Sequence, residues 1–387
     1  MLRSRPRVLT AVVVVIVLTA GVWVAWDRLH VATPQEAKAE TKAQKPKSLD
    51  DDDRKVTDEQ RAEMLGRAHV WRTPAVPIAH ASFVGEGLET LSCKFKLSDL
   101  GGTTPKFDCT LEDGQKIRIK YGKGPEIPAE AAATRLLKAL GFGADDIALV
   151  EKVHCYGCPE EPFSTMKVVE VTGAGPLYKN VIDYNDVEEF TWVALERKFS
   201  GRPVETDQVE GWSFFELDLV DAAKGGAPRA HVDALRLMAV FLSHWDNKSE
   251  NQRLVCLSAH WPKDTRCSDP FLLLQDVGAT FGPVKVDLDA WGHAPIWEDR
   301  PSCTVSMIDL PYDGATFGKA HVTEAGRQFI GRLLTQLSDP QITELFAGAR
   351  FNHERGIFSA ARPVSDWVRT FKSKVSTITE GPACPEA

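Results

Sequence analysis

Hydrophobic and polar positions alternate along KIRIKYG (residues 116–122), where Ile117 and Ile119 are interleaved with Arg118 and Lys120. A period of two puts the isoleucines on one buried face of a β-strand. The preceding stretch FKLSDLGGTTPKFDCTLEDGQ (95–115) carries Gly101-Gly102 and then Glu112-Asp113-Gly114. It predicts strand, glycine-bearing turn, strand, turn, strand. PAEAAATRLLKALGFG (128–143) changes to helical spacing. Pro128 suits a first helical turn, Ala131 to Ala133, Leu136, Leu137 and Leu140 are strong helix formers, and Gly141 is a natural stop. Further on, the apolar run ALRLMAVFLS (234–243) gives way abruptly to HWDNKSENQ (244–252). In LLLQDVGATFG (272–282) three leucines read as a buried strand that ends on Asp276-Val277-Gly278.

The N-terminus follows a different rule. Residues 8–26 (VLTAVVVVIVLTAGVWVAW) carry no charge. At about 1.5 Å per residue this run just spans a hydrocarbon core of about 30 Å. Arg3, Arg5 and Arg7 precede it, and Trp23 and Trp26 stand where an interfacial belt belongs. A cleaved signal peptide is the alternative, but the run is long and no clear A-x-A site follows it. The expectation is a retained signal anchor, with a cytoplasmic tail (1–7), a transmembrane helix (8–26) and the body outside the cytoplasm. The next residues are rich in Ala, Lys, Glu, Gln and Asp, including Asp50 to Asp53. They bury too little to offset ordering, which predicts a flexible tether over 27–69 and a globular body over 70–387.

Composition narrows the partners. A net charge of -8 with 26% charged residues disfavours a nucleic-acid partner, because phosphate backbones require a basic face. There is no internal repeat and no heptad. The 8 cysteines suit an exported chain. Close spacing suggests local disulfides Cys93/Cys109, Cys155/Cys158 and Cys256/Cys267, leaving Cys303 and Cys384 to pair. Cys155-x-x-Cys158 has redox and zinc alternatives, but it lacks a thioredoxin-like context and two further zinc ligands.

Several residues along the chain carry chemistry. Each has a plain reading when taken alone. Gly101-Gly102 is an ordinary turn or a place where backbone amides approach a phosphate. Glu130 is a favourable charge near a helix N-terminus or a partner for Lys120. Asp276 is a turn residue or a metal ligand leaving a buried strand. His244 reads as a structural brace, and Trp291, His293 and Trp297 as packing. Taken together, Lys120, Glu130, Asp246, Asn251 and Asp276 supply what phosphoryl transfer asks for. That chemistry needs a lysine on the phosphates, a carboxylate holding it, an acid at the acceptor hydroxyl, and an Asn and an Asp for Mg²⁺.

HWDNKSEN (244–251) resembles the protein-kinase catalytic loop H-R-D-L-K-P-E-N at His244, Asp246, Lys248, Glu250 and Asn251. Asp276-Val277-Gly278 is similar to the D-F-G element. Lys120 is similar to the strand lysine of V-A-I-K, and Glu130 to the glutamate of the following helix. The layout also resembles atypical bacterial HipA-like and spore-coat CotH-like kinases. The resemblance covers about residues 95–346, with its specificity in a few short motifs. It implies an α+β bilobal kinase-like fold behind the transmembrane helix, with a small β-rich N-lobe (about 80–170) and a larger helical C-lobe (about 171–387). It further implies ATP and Mg²⁺ as cofactors. Asp246 would be the base, Lys248 would steady the transferred phosphate, and Asn251 and Asp276 would hold the metal. Lys120, Glu130, Gly101 and Gly102 would serve the nucleotide. The sequence departs from the pattern at the missing G-x-G-x-x-G, at Trp245 in place of arginine, and at the missing A-P-E. A long Asp246–Asp276 interval, containing Cys256 and Cys267, predicts a disulfide-pinned insertion.

Topology and chemistry oppose one another, because ATP is scarce outside a bacterial cytoplasm. Three functions are therefore expected from these residues. One is an extracytoplasmic kinase acting on an unidentified protein or envelope acceptor. The others are a kinase-fold enzyme that transfers AMP, and an inactive kinase-like scaffold.

Overall fold

The computed structural model describes residues 55–84, 90–258, 267–283, 285–308, 314–353 and 361–385. The expected anchor (8–26) and most of the expected tether lie outside the described residues. Among the described residues no helix is long and apolar enough to cross a membrane.

Order begins earlier than the sequence pattern indicates. Helix α1 (Asp58–Gly66) is capped by a Thr57/Gln60 box, and Met64 and Leu65 are buried in the core. The expected tether boundary at residue 69 is thus corrected to no later than Lys55. Strands β1 (Thr90–Lys96), β2 (Lys106–Thr110) and β3 (Lys116–Lys120) follow as the alternation predicts. Helix α2 (Glu126–Ala139) comes next, then β4 (Gly143–Ala144) and β5 (Asp146–Tyr156). Helices α3 (Pro162–Thr172) and α4 (Gly175–Lys179) lead to β6 (Val187–Arg197). The order β1-β2-β3-β6-β5 closes a barrel, with β1 parallel to β5 and the other neighbours antiparallel. Because β6 completes it, the barrel part runs to Arg197, and the expected division near residue 170 is corrected.

The barrel has its own core. Phe95, Phe107, Ile117, Ile119, Val150, Val193 and Leu195 point inward, with Cys93 and Cys109 joined across β1 and β2. Strand alternation turns Arg118, Lys120 and Glu196 to the outer face. There α2 lies close, its Ala129 and Ala131 to Ala133 buried. Helix α2 begins at Glu126, directly after Pro125, rather than at Pro128. Glu130 therefore sits beyond the first turn and is buried, so its charge is not an exposed complement to the helix end. Gly141 ends this stretch with φ +92°, where a Cβ would meet the Arg72 carbonyl.

The larger core belongs to the remaining elements. Strands β7 (Arg202–Pro203), β8 (Gln252–Cys256) and β9 (Pro270–Leu274) form a sheet in the order β4-β9-β8-β7. Helix α5 (Arg229–Leu242) is buried at every position from Val232 to Leu242. Its buried Asp233 and Arg236 pair with one another at 3.2 Å, as burial of charge requires. Helices α6 (Leu288–His293), α7 (Glu324–Leu334), α8 (Asp339–Gly348) and α9 (Val364–Thr379) complete the fold. Trp291 stacks on Trp367 among Phe281, Phe346 and Phe371, and donates to the Phe241 carbonyl at 2.7 Å. Trp297 is buried as well, whereas His293 lies at the surface. All four expected disulfides are present, Cys303–Cys384 among them, and no cysteine is free. Cys256–Cys267 closes the interval between β8 and β9, whose residues 259–266 lie outside the described residues.

Candidate functional site

Lys120 is the last residue of β3 and is 2% exposed. Its ammonium meets both Glu130 oxygens, at 2.7 and 2.8 Å, and Asp276 Oδ1 at 3.0 Å. Glu196 Oε2, delivered by the neighbouring β6, stands at 3.5 Å. One cation thus serves three carboxyl groups drawn from α2, β6 and the turn after β9. Burial opposes the lysine's charge, but the surrounding acids, Glu130 foremost, hold its proton affinity well above the ordinary value. Burial pushes the Glu130 carboxyl up, to about 8, against the pull of Lys120. With more negative than positive charge enclosed here, Glu130 is the group that takes up a proton first. Glu196 stays ionised despite burial, held down to about 2 by Lys120 and by its ion pair with Lys198.

Asp276 leaves β9 with φ +49°, a left-handed conformation unusual for a residue with a side chain. Burial works against its charge, yet Lys120 holds the carboxyl below the usual carboxylate range. Its side chain keeps 42% of its surface exposed, so one oxygen is committed to Lys120 while the group still reaches solvent. Gly278, two residues on, lies where a Cβ would collide with Glu126 Cγ at 2.3 Å. Glycine therefore allows the turn to pack on the start of α2. Glu126 in turn pairs with Lys285.

The loop after α5 starts with Ser243, whose φ of +54° ends the helix in a left-handed turn. His244 is fully buried, and burial lowers its imidazole to about 4, so it is neutral near pH 7. Its ring faces the Ala279 backbone, but neither ring nitrogen reaches full hydrogen-bond geometry. Asn247 fixes the loop: its Nδ2 donates to the His244 carbonyl at 2.9 Å. Its Oδ1 accepts from Thr316 N–H at 2.7 Å and Phe317 N–H at 2.8 Å.

Asp246 is half-buried, and its Oδ1 is enclosed without a hydrogen-bond partner. Burial raises its pKa; Lys248, 3.9 Å away, opposes the rise and Asp276 adds to it. Asn251 spends its Nδ2 on the Asp246 carbonyl at 2.7 Å. Among the described residues no group of three or more His, Cys, Asp or Glu has metal-site geometry. A hard cation such as Mg²⁺ takes oxygen donors from few protein groups and retains water. The solvent-reaching Asp276 carboxylate and the Asn251 amide oxygen, whose Nδ2 is already spent, are donors of that kind.

Folding thus brings Lys120, Glu130 and Asp276 into direct contact, and places Asp246, Lys248 and Asn251 on one loop. Asp276 acts on the electrostatics of Asp246, which ties the two groups together. Gly101 and Gly102 form an exposed turn between β1 and β2, and Gly102 approaches Lys106, the residue opposite Lys120 on β2. Sequence reasoning missed Glu196, Asn247 and Lys106. Glu196 had an available signal, since Ala194 and Glu196 alternate with Val193 and Leu195 on β6. A cavity of about 630 Å³ lined by Tyr121, Ile127, Leu149, Trp192 and Arg350 shares none of these site residues, and the chemistry described lies elsewhere.

No family model matches the chain, and no curated protein matches it. Among solved structures it is similar to a Helicobacter pylori proinflammatory kinase, CtkA, at 10% identity and a TM-score of 0.41. That match covers 75% of this chain and 96% of the other.

Proposed function

We propose that the chain is an atypical kinase-like phosphotransferase that uses ATP and Mg²⁺ and works outside the cytoplasm. The observation that carries this reading is the contact of Lys120 with both Glu130 and Asp276, the latter 156 residues away along the chain. A buried ion cluster adds little net stability, so a stabilising role alone does not account for it. Phosphoryl transfer calls for this lysine, this acid and this aspartate at one place.

The roles follow from the positions. Lys120, oriented by Glu130, contacts the α- and β-phosphates. Asp276 and Asn251 are the residues that would hold Mg²⁺, which when bound neutralises charge on the phosphates. Asp246, its proton affinity raised by burial, accepts the proton of the acceptor hydroxyl. The acceptor oxygen then bonds to the terminal phosphorus as the bond to ADP breaks. Lys248, beside Asp246, balances charge on the phosphate in transit. Four disulfides fit an oxidising compartment, which supports placing the body outside the cytoplasm. Membrane attachment through residues 8–26 and a protein or envelope acceptor belong to the same proposal.

The test is incubation of the purified soluble body with envelope extract and ATP labelled at either the α- or the γ-phosphate. Label transferred from the γ-position alone supports a kinase. Transfer from the α-position means AMP is moved. No transfer and no nucleotide binding would make the fold a scaffold.

A further inference from the structure

Lys106 opens β2 and lies directly opposite Lys120 in the β2–β3 register. Like charges facing one another across strands destabilise a sheet. Lys106 is nonetheless 7% exposed, and the uptake of a charge into so enclosed a place is costly without a partner. Among the described residues no ion pair or hydrogen bond is made by its ammonium. The acids that influence it are already committed: Asp276 to Lys120 and Glu126 to Lys285. Burial first, and Lys120 second, lower its hold on a proton. The Gly101-Gly102 turn passes over it. At Gly102, with φ +71°, an added Cβ would stand 3.3 Å from the Lys106 ammonium nitrogen. An enclosed cation with no counter-ion, beside a second lysine and beneath a glycine turn, has the makings of an anion site.

We infer that Lys106 is a second phosphate-binding lysine, which with Lys120 and the Gly101-Gly102 turn grips the polyphosphate of the nucleotide. The inference rests on the nucleotide reading above and extends it. It also accounts for the missing glycine-rich signature: the charge of Lys106 does the work that a longer run of backbone amides would do. A phosphate between the two lysines replaces their repulsion with two charge-assisted hydrogen bonds.

Calorimetry and thermal shift on the protein without Mg²⁺ test this, with ATP, inorganic tripolyphosphate and adenosine as probes. Lys106→Met is expected to bind ATP and tripolyphosphate about tenfold or more weakly, as loss of one charged contact implies, with adenosine unaffected. Lys106→Arg should retain most of the affinity. Without ligand, Lys106→Met should melt at or above the wild-type temperature, because an unpaired buried charge has gone. A lower melting temperature with unchanged ATP affinity would make Lys106 a structural residue and overturn the inference, leaving the nucleotide reading intact. Wild type that binds neither ATP nor tripolyphosphate defeats both. Lys106-dependent binding of tripolyphosphate without binding of ATP keeps the anion site and defeats the nucleotide reading.

Discussion

At the scale of single residues, the site gives its two aspartates different surroundings. Asp246 has an enclosed, unpartnered oxygen and a raised pKa, whereas Asp276 is held ionised by Lys120. One suits proton transfer and the other a cation. Asp246→Asn should therefore leave Mg²⁺-nucleotide binding intact while lowering transfer by about 10² to 10⁴, the usual contribution of a positioned base. Asp276→Asn should instead weaken only the Mg²⁺-dependent part of binding. Thermal shift with and without Mg²⁺, beside a transfer assay, reads both; full transfer by Asp246→Asn would remove it as the base. These residues were legible because order and spacing along the chain carry them: Lys120 on an alternating strand, Glu130 on the next helix, Asp246 and Asn251 on one loop. Lys106 was not, and Glu196 only as an outward position on β6, because what matters about them is cross-strand register. No local pattern reveals that Lys106 faces Lys120 or that Arg118 faces Glu196.

Elements show the same division. Strands β1 to β3 and the end of α2 were readable from period and glycine, since one face of each is apolar. Helix α1 was not: its sequence DEQRAEMLG is mostly polar, and its buried Arg61 is accommodated by Glu216 at 2.7 Å and the Gly211 carbonyl at 2.7 Å. Burial by ion pairing leaves no hydrophobic trace. The loop after α5 depends likewise on Asn247, which reads as a polar surface residue yet is fully buried. Asn247→Ala strands the N–H groups of Thr316 and Phe317, at about 1–3 kcal/mol for each unsatisfied group. A loss of about 2–6 kcal/mol in chemical unfolding is expected, together with reduced transfer, because the same loop carries Asp246. Unaltered stability would mean the loop is held by other contacts. Helix α9 turns Lys374 inward onto the Trp291 and Ala294 carbonyls, at 3.1 and 2.8 Å, and burial lowers its pKa to about 8. The unfolded chain keeps that proton to about pH 10.4, so between pH 8 and that value the unfolded state binds more protons. Stability should rise across this window by at most about 3 kcal/mol, and be absent as pH falls below 8. Lys374→Met should flatten that rise in denaturant titrations at stepped pH; an identical slope in the variant would assign the effect to another group.

For the molecule as a whole, each disulfide ties together segments within one of the two cores. Cys93–Cys109 staples the barrel, whereas Cys303–Cys384 reaches over a sequence separation of 81 to fasten the C-terminal segment to the body. Loop-closure entropy ranks them. The separations of 3, 16 and 81 for Cys155–Cys158, Cys93–Cys109 and Cys303–Cys384 correspond to about 2, 3 and 4.5 kcal/mol in the chain-entropy model. Paired Cys→Ser variants should lose thermal stability in that order. Free-thiol counting on the unfolded, unreduced wild type should find none, because every cysteine is paired. The ranking discriminates between entropy and packing. Cys93, Cys109, Cys303 and Cys384 are all buried in a core, so if packing dominated, the Cys93–Cys109 and Cys303–Cys384 pairs would cost about the same. Reactive thiols on all cysteines would go further, since a reduced chain has no need of an oxidising compartment. The case for a body outside the cytoplasm would then rest on residues 8–26 alone.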